Sequence, residues 1–358
     1  MMDQGEGAAR GRGPDPGAGR PTVRDVAREA GVSLATVDRV LNDRPGVREA
    51  TARRVGAAME RLGYQRDMAA ANLSKRRSYR LVFLLAAGTN SFMHMLREAV
   101  EKTASFSSMD RIALQSRLVP PFDGPALAAA LDAIDPRDTD GVAVVATDEP
   151  EVRDAMGRLA ARGIRVLTLV SDAPNSARER FVGIDNVVAG RTAAGLLGRF
   201  CPAPGRIAVI MGSALLRDHV ERRLGFETVI AREYPHLACL PPIEGRDDAD
   251  TVARELSAQF AAEPGIVGIY SLGAGNRGIV RALEGRPGGR RLPVVVHELT
   301  PHARGALMAG VFDAVINQDA GHEIRSAVRI LCALIDGRPT FEPQERISVD
   351  IFMRDNLP

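Results

Sequence analysis

Cysteine is scarce in this 358-residue chain: Cys201, Cys239 and Cys332 are the three present. They lie too far apart for a CxxC pair or a zinc pattern, so they read as reduced structural thiols. The six histidines show no HExxH or comparable metal spacing. A GxSxG nucleophile elbow and a Walker P-loop are also missing, so no enzyme class finds support and no cofactor is expected. No apolar run approaches the roughly 20 residues that cross a bilayer. Residues 1–20 are mostly Gly, Ala, Arg, Pro and Asp with no apolar h-region, so the expectation is a cytoplasmic protein without a secretory signal. The length suits two or three domains with sizeable cores.

The net charge of +2 hides an asymmetry. Residues 1–80 hold 16 Lys/Arg against 10 Asp/Glu, and the remainder holds 31 against 35. A basic head on a slightly acidic body suits contact with DNA at one end. Within that head, Val23, Val26, Ala27 and Ala30 recur at helical spacing, and Gly31 can end the helix in the left-handed conformation. Ser33 can cap a second helix whose apolar stripe is Leu34, Val37, Val40 and Leu41. Two short helices around a Gly-containing turn make a helix-turn-helix. A third helix over Glu49–Leu62 brings Val55, Met59 and Leu62 inward to close the core.

The wording from Thr22 to Asn42 (Thr-Val-x-Asp-Val-Ala-x-x-Ala-Gly-Val-Ser-x-x-Thr-Val-x-Arg-Val-Leu-Asn) resembles the headpiece of the LacI/GalR family of bacterial repressors. The likeness continues in phase through Gly46-Val47-Arg48, Thr51, Val55, Ala58, Leu62-Gly63-Tyr64, Ala70 and Leu73. The resemblance implies a recognition helix in the major groove of double-stranded DNA, with Leu34, Ala35 and Asp38 near base edges. Thr22, Arg24, Ser33, Thr36, Arg39, Asn42 and Tyr64 complete the expected DNA-facing set, Arg24, Thr36, Arg39 and Asn42 mainly at phosphates. Asp38 stands where the family usually carries a small hydroxyl residue; an acid there can accept from a cytosine amino group or pair with Arg39. The resemblance also implies that Leu73 is a minor-groove wedge on a hinge segment, and that the protein is a homodimer on a near-palindromic operator. The expected organisation is a disordered leader over 1–20, a headpiece over 21–64, a hinge over 65–78 and a two-lobed domain over 79–358.

From Arg80 onward, apolar strands alternate with amphipathic helices. Strands are expected at Leu81–Ala86, Ile112–Arg117, Val142–Ala146, Val166–Val170, Arg206–Met211, Ile266–Ser271, Pro293–His297 and Ala314–Asn317. Helices are expected between them, at Asp154–Arg162, Val187–Arg199, Asp218–Arg232 and Ala249–Phe260. Repeated βαβ units give α/β architecture with doubly wound parallel sheets. Some 275 residues of this pattern allow two lobes around a cleft. The resemblance implies the periplasmic-binding-protein-like form, each lobe discontinuous in sequence.

Ligands of such sheets bind beyond the carboxyl ends of the strands. Asn90, Phe92, Asp148, Asn276, Glu298 and Gln318 fall there. Amides and carboxylates offer the paired donors and acceptors that vicinal hydroxyls need, so a sugar or polyol is the expected effector. Glu221-Arg222-Arg223-Leu224-Gly225-Phe226 matches the family's Arg-x-x-Gly-Phe element, which implies that Arg222 reaches the effector. A competing reading comes from Gly273-Ala274-Gly275-Asn276-Arg277-Gly278, a literal GxGxxG after a strand. It would make the chain a helix-turn-helix sensor of NAD or an oxidoreductase.

Overall fold

The computed structural model describes residues 21–41, 46–62, 64, 78–107, 111–273, 275–286 and 291–358. The leader, Asn42 and residues 65–77, Leu73 among them, lie outside the described residues. The chain divides into two compact units between Arg77 and Ser78.

The first unit contains α1 (Val23–Ala30), α2 (Leu34–Leu41) and α3 (Glu49–Leu62) around buried Val26, Ala27, Ala30, Val37, Val55 and Ala58. Asp25 starts α1: its carboxylate accepts from the backbone N–H and hydroxyl of Thr22, at 2.9 and 2.7 Å. Gly31 ends α1 at φ 61°, a conformation costly for residues with a Cβ. Ser33 then caps α2, its hydroxyl accepting from the Thr36 N–H at 3.1 Å. Arg54 of α3 locks the turn by donating to the Ala30 and Gly31 carbonyls.

The second unit is two lobes. Lobe 1 holds β1 (Tyr79–Ala86), α4 (Ser91–Ser107), β2 (Ile112–Val119), α5 (Gly124–Asp132), β3 (Gly141–Val144), α6 (Pro150–Ala161), β4 (Arg165–Leu169) and β5 (Arg180–Val182). Its parallel sheet has the order β2-β1-β3-β4-β5. Lobe 2 runs through α7 (Asn186–Phe200), β6 (Gly205–Met211), α8 (Arg217–Glu233), β7 (Leu237–Cys239), β8 (Ile243–Glu244), α9 (Ala249–Ala262), β9 (Ile266–Ser271), α10 (Asn276–Glu284), β10 (Val294–His297), α11 (Pro301–Met308) and β11 (Ala314–Asn317). Its sheet repeats the order of the first as β7-β6-β9-β10-β11. The strand β12 (Asp350–Phe352) adds antiparallel to β11.

The chain passes between lobes three times. It crosses from β5 into α7, and again from β11 into α12 (Ala320–Asp336), which packs back on α4, β3 and β4 of lobe 1. The third passage lies between α13 (Glu342–Glu345) and β12. Each lobe is therefore discontinuous. Central strands such as Gly141–Val144 and Val294–His297 are buried throughout, as helices on both faces of a parallel sheet require. The eight expected strands are all present, with ends that differ by at most two residues. The short β5, β7, β8 and β12 were not anticipated, because two or three residues display no periodicity. Among the described residues no helix is long and apolar enough to cross a membrane.

Candidate functional site

The carboxyl ends of both sheets face a cavity of about 230 Å³. From lobe 1 its wall includes Thr89, Asn90, Phe92, Val170 and Ser171; from lobe 2, Asp218, His219, Arg222, Asp247, Asn276 and Glu298. The lobes touch across it. Asn90 Nδ2 donates to Asp247 Oδ2 at 2.8 Å, and the Asp148 N–H donates to the Leu215 carbonyl at 3.1 Å. Arg217 of α8 reaches Asp148 Oδ2 at 3.5 Å. Val170, Asp247 and Glu298 all take left-handed backbone conformations, with φ of 64°, 59° and 67°. For a β-branched valine that is a rare conformation, costing on the order of 1–3 kcal/mol, and such strain concentrates at ligand sites.

Arg222 forms the floor and is 1% exposed. Its Nε donates to Asn186 Oδ1 at 2.8 Å and its Nη1 to the Leu272 carbonyl at 2.7 Å. Its Nη2 lies 3.3 Å from Glu298 Oε1 and 3.9 Å from Asp218 Oδ2, without an aligned hydrogen bond to either. The sequence delivers this side chain by a backbone-level contact between α7 and α8. A Cβ on Gly225 would sit 2.2 Å from the Val187 carbonyl oxygen, and one on Gly190 would sit 1.9 Å from that of Arg222. Only glycine at both points lets the helices approach so closely. Phe226 then stacks on Tyr270 at 4.3 Å, and the Tyr270 hydroxyl meets His297 Nε2 at 2.9 Å. The Arg-x-x-Gly-Phe element thus has one residue in the cavity floor, one at the helix contact and one in the core beneath.

Around Arg222 three buried carboxyls gather: Asp218, Glu298 and Glu323. Burial pushes Glu298 up to about 7, opposed by Arg222 and by Gln318, whose Nε2 donates to Oε1 at 2.9 Å. Glu323, on α12, is fully buried with neither oxygen hydrogen-bonded, and burial together with the Glu298 charge raises its pKa well above the usual range. Burial and then Arg222 hold His297 well below its ordinary value. These shifts set opposite pH trends. The neutral histidine binds fewer protons folded than unfolded, so its contribution rises with pH and is complete above about pH 6.5. The raised carboxyls bind more protons folded than unfolded, so their contribution falls as pH rises through their folded values. Above about pH 6.5 the histidine no longer adds to the slope, and the raised carboxyls make stability fall as pH rises. Calorimetry above about pH 6.5 should show that decline, and Glu323→Gln should lessen it. An equally steep profile in the variant would contradict the assignment.

Of the residues expected to meet an effector, Asn90, Phe92, Arg222, Asn276 and Glu298 line the cavity. Asp148 and Gln318 do not. Asp148 is turned away by Arg153 at 2.6 Å and by Arg217, where it bridges the lobes. Gln318 is fully buried behind Glu298. Sequence reading missed Asp218, His219 and Asp247. Asp218 and His219 read as the polar start of a helix, yet they stand four and three residues before Arg222 and share its face. Asp247 follows β8, a strand of two residues too short to predict. The GxGxxG glycines answer to packing: a Cβ on Gly273 would meet His219 Nε2 at 2.5 Å, and one on Gly278 the Ala249 carbonyl oxygen at 2.3 Å.

On the headpiece, Arg24, Leu34, Ala35, Asp38 and Arg39 are exposed, whereas the hydroxyl of Ser33 is engaged in the cap. Thr36 is half-buried beside Ser33, their hydroxyls 2.9 Å apart. Thr22 caps α1, and Tyr64 packs against the three-helix core.

Residues 22–67 match the lacI family of bacterial regulatory proteins, and residues 81–339 match the periplasmic binding protein domain. The ribose operon repressor of Bacillus subtilis (strain 168) is 46% identical over 80 residues, 22% of this chain and 24% of that protein. Catabolite control protein A of Priestia megaterium is 37% identical over 84 residues, 24% and 25% of the two chains. The chain thus spans about a quarter of the length of these curated relatives. An ABC transporter solute-binding protein from Burkholderia graminis C4D1M, in complex with D-arabinose, shares the fold with a TM-score of 0.70 at 23% identity, over 78% of this chain and 96% of that one. The second family match covers most of the chain and leaves the dinucleotide-binding alternative without favour. The two matches follow one another along the chain: it carries a headpiece of the lacI family of bacterial regulatory proteins, followed by a periplasmic binding protein domain, the family to which most of the chain belongs.

Proposed function

We propose that this chain is a transcriptional repressor that reads an operator in double-stranded DNA through its headpiece and responds to a polyhydroxylated effector, a sugar or polyol, in the cleft. The observation that carries the effector half is a set of buried polar atoms on the cavity wall with no hydrogen-bond partner: Ser171 Oγ, Asp218 Oδ1, Arg222 Nη2, His297 Nδ1 and Glu298 Oε2. Buried polar groups are ordinarily satisfied, and a ligand bearing several hydroxyls supplies both donors and acceptors. The named relatives, a ribose operon repressor and a catabolite control protein, support the same reading. A single headpiece covers too few base pairs for strong specificity, so the working form is a homodimer on a near-palindromic operator. The effector favours one closure angle of the lobes, and closure alters the energy of the DNA-bound state through the segment that includes Leu73. Such a protein works in the cytoplasm.

Selection of operators from random duplexes, followed by fluorescence anisotropy over a salt series, tests the DNA half. Arg24→Ala should weaken binding to all sequences alike and reduce the salt slope by about one, as loss of one phosphate contact does. Asp38→Asn should instead change which bases are preferred. Enrichment of no sequence by the full chain would overturn the proposal.

A further inference from the structure

The cavity is chemically one-sided. Asp218, Asp247, Asp248, Asp250 and Glu298 contribute to its wall against Arg222, Arg277 and Arg281, and Glu323 lies behind with no hydrogen-bonded oxygen. Arg281 is tied to Asp250 at 2.6 Å at the rim. In the floor, Asp218 and Glu298 face one buried cation, and that cation already spends two donors on Asn186 and Leu272. Asp218 and Glu298 are 4% and 6% exposed, and each keeps a carboxylate oxygen without a hydrogen bond, Oδ1 and Oε2. Both side chains lie within 4 Å of the same Arg222 nitrogen, so they border one spot. His297 is held neutral by burial and adds no charge there.

A hydroxyl can give each orphaned oxygen a hydrogen bond, but it leaves the charge excess untouched. A protonated amine brings three donors and a full positive charge. Buried carboxylates left unpaired are costly, and charge-assisted hydrogen bonds are roughly twice as strong as neutral ones. Along the wall as a whole, a second cation beside Arg222 still leaves acids in the majority. Resting on the reading that the cleft binds a polyhydroxylated effector, we propose that this effector is a cation: an amino sugar or amino polyol whose ammonium group sits between Asp218 and Glu298.

Titration calorimetry on the full chain at about pH 7, where alkylammonium groups are charged, tests this with matched pairs. The pairs are D-glucosamine with D-glucose, D-galactosamine with D-galactose, and N-methyl-D-glucamine with D-sorbitol; N-acetyl-D-glucosamine and D-glucose 6-phosphate serve as controls. At least one amine should bind at least about tenfold more tightly than its hydroxyl partner, and N-acetylation should remove the advantage. Asp218→Asn and Glu298→Gln, which keep shape and remove charge, should each shrink that advantage by about fivefold or more. Neutral or phosphorylated members binding as well as the amines, or an advantage unchanged in both variants, would overturn the inference and leave the proposed function standing. Binding by no member of the panel would overturn both.

Discussion

Replacing Arg222 with methionine should destabilise the two-lobed domain by about 3–5 kcal/mol and abolish effector binding. The size follows from what the side chain holds together. Its removal strips donors from Asn186 Oδ1 and the Leu272 carbonyl, and it leaves Asp218 and Glu298 buried without their cation. Without the cation that opposes its raised pKa, Glu298 takes up a proton more readily, so the loss should be greatest at high pH. Arg222→Lys should fall between the two, because an ammonium keeps the charge but does not reproduce the planar fork that serves Asn186 and Leu272 together. Denaturant titration of the three proteins gives the comparison. A methionine variant within about 1 kcal/mol of the native protein would show that the floor is not organised around this cation.

The second large effect lies where no ligand touches. Gly190→Ala places a methyl group 1.9 Å from the Arg222 carbonyl oxygen, a backbone atom that no rotamer change moves. Overpacking ordinarily costs about 1–3 kcal/mol, and a clash between two helix backbones belongs at or above the top of that range. In an exposed helix the same substitution would stabilise by about 1 kcal/mol, so the sign itself reports the contact. Separation of α7 from α8 also carries Arg222 away from Asn186, so effector affinity should fall along with the melting temperature. A stabilised Gly190→Ala protein would contradict the close helix contact.

Much of this architecture is legible in the sequence. The headpiece was readable because capping, turn and apolar period coincide in a short span: Thr22 with Asp25, Gly31, Ser33, and Val26, Ala30 and Val37 facing one core. The long buried strands were readable because parallel sheets covered on both faces demand continuous apolar runs. Arg222 was found through its element, and Asn90, Phe92, Asn276 and Glu298 through the rule that ligands meet the ends of strands. The same rule brought in Asp148, whose partner Arg217 lies 69 residues away in the other lobe. A position at a strand end says where a side chain starts, and distant partners decide where it points. Glu323 left a fainter trace: an acid on the otherwise apolar face of α12, with Ala320, Ile324 and Ala327 as neighbours. Its meaning depends on which carboxyls the crossing between lobes brings near, which periodicity does not encode.

The claim that binds these parts together is that occupancy of the cleft changes affinity for DNA. The direct measurement is anisotropy of a labelled selected operator, titrated with the full chain in the absence and in saturating presence of the tightest ligand from the sugar and amino-sugar panel, for the native protein and for Arg222→Lys. Coupling energies between sites are typically about 1–3 kcal/mol, so operator affinity should change by roughly 5- to 150-fold in the native protein. By reciprocity, saturating operator should shift ligand affinity by the same factor. Arg222→Lys should lose most of the change while still binding operator. Operator affinity that stays constant with the cleft demonstrably full would contradict the account.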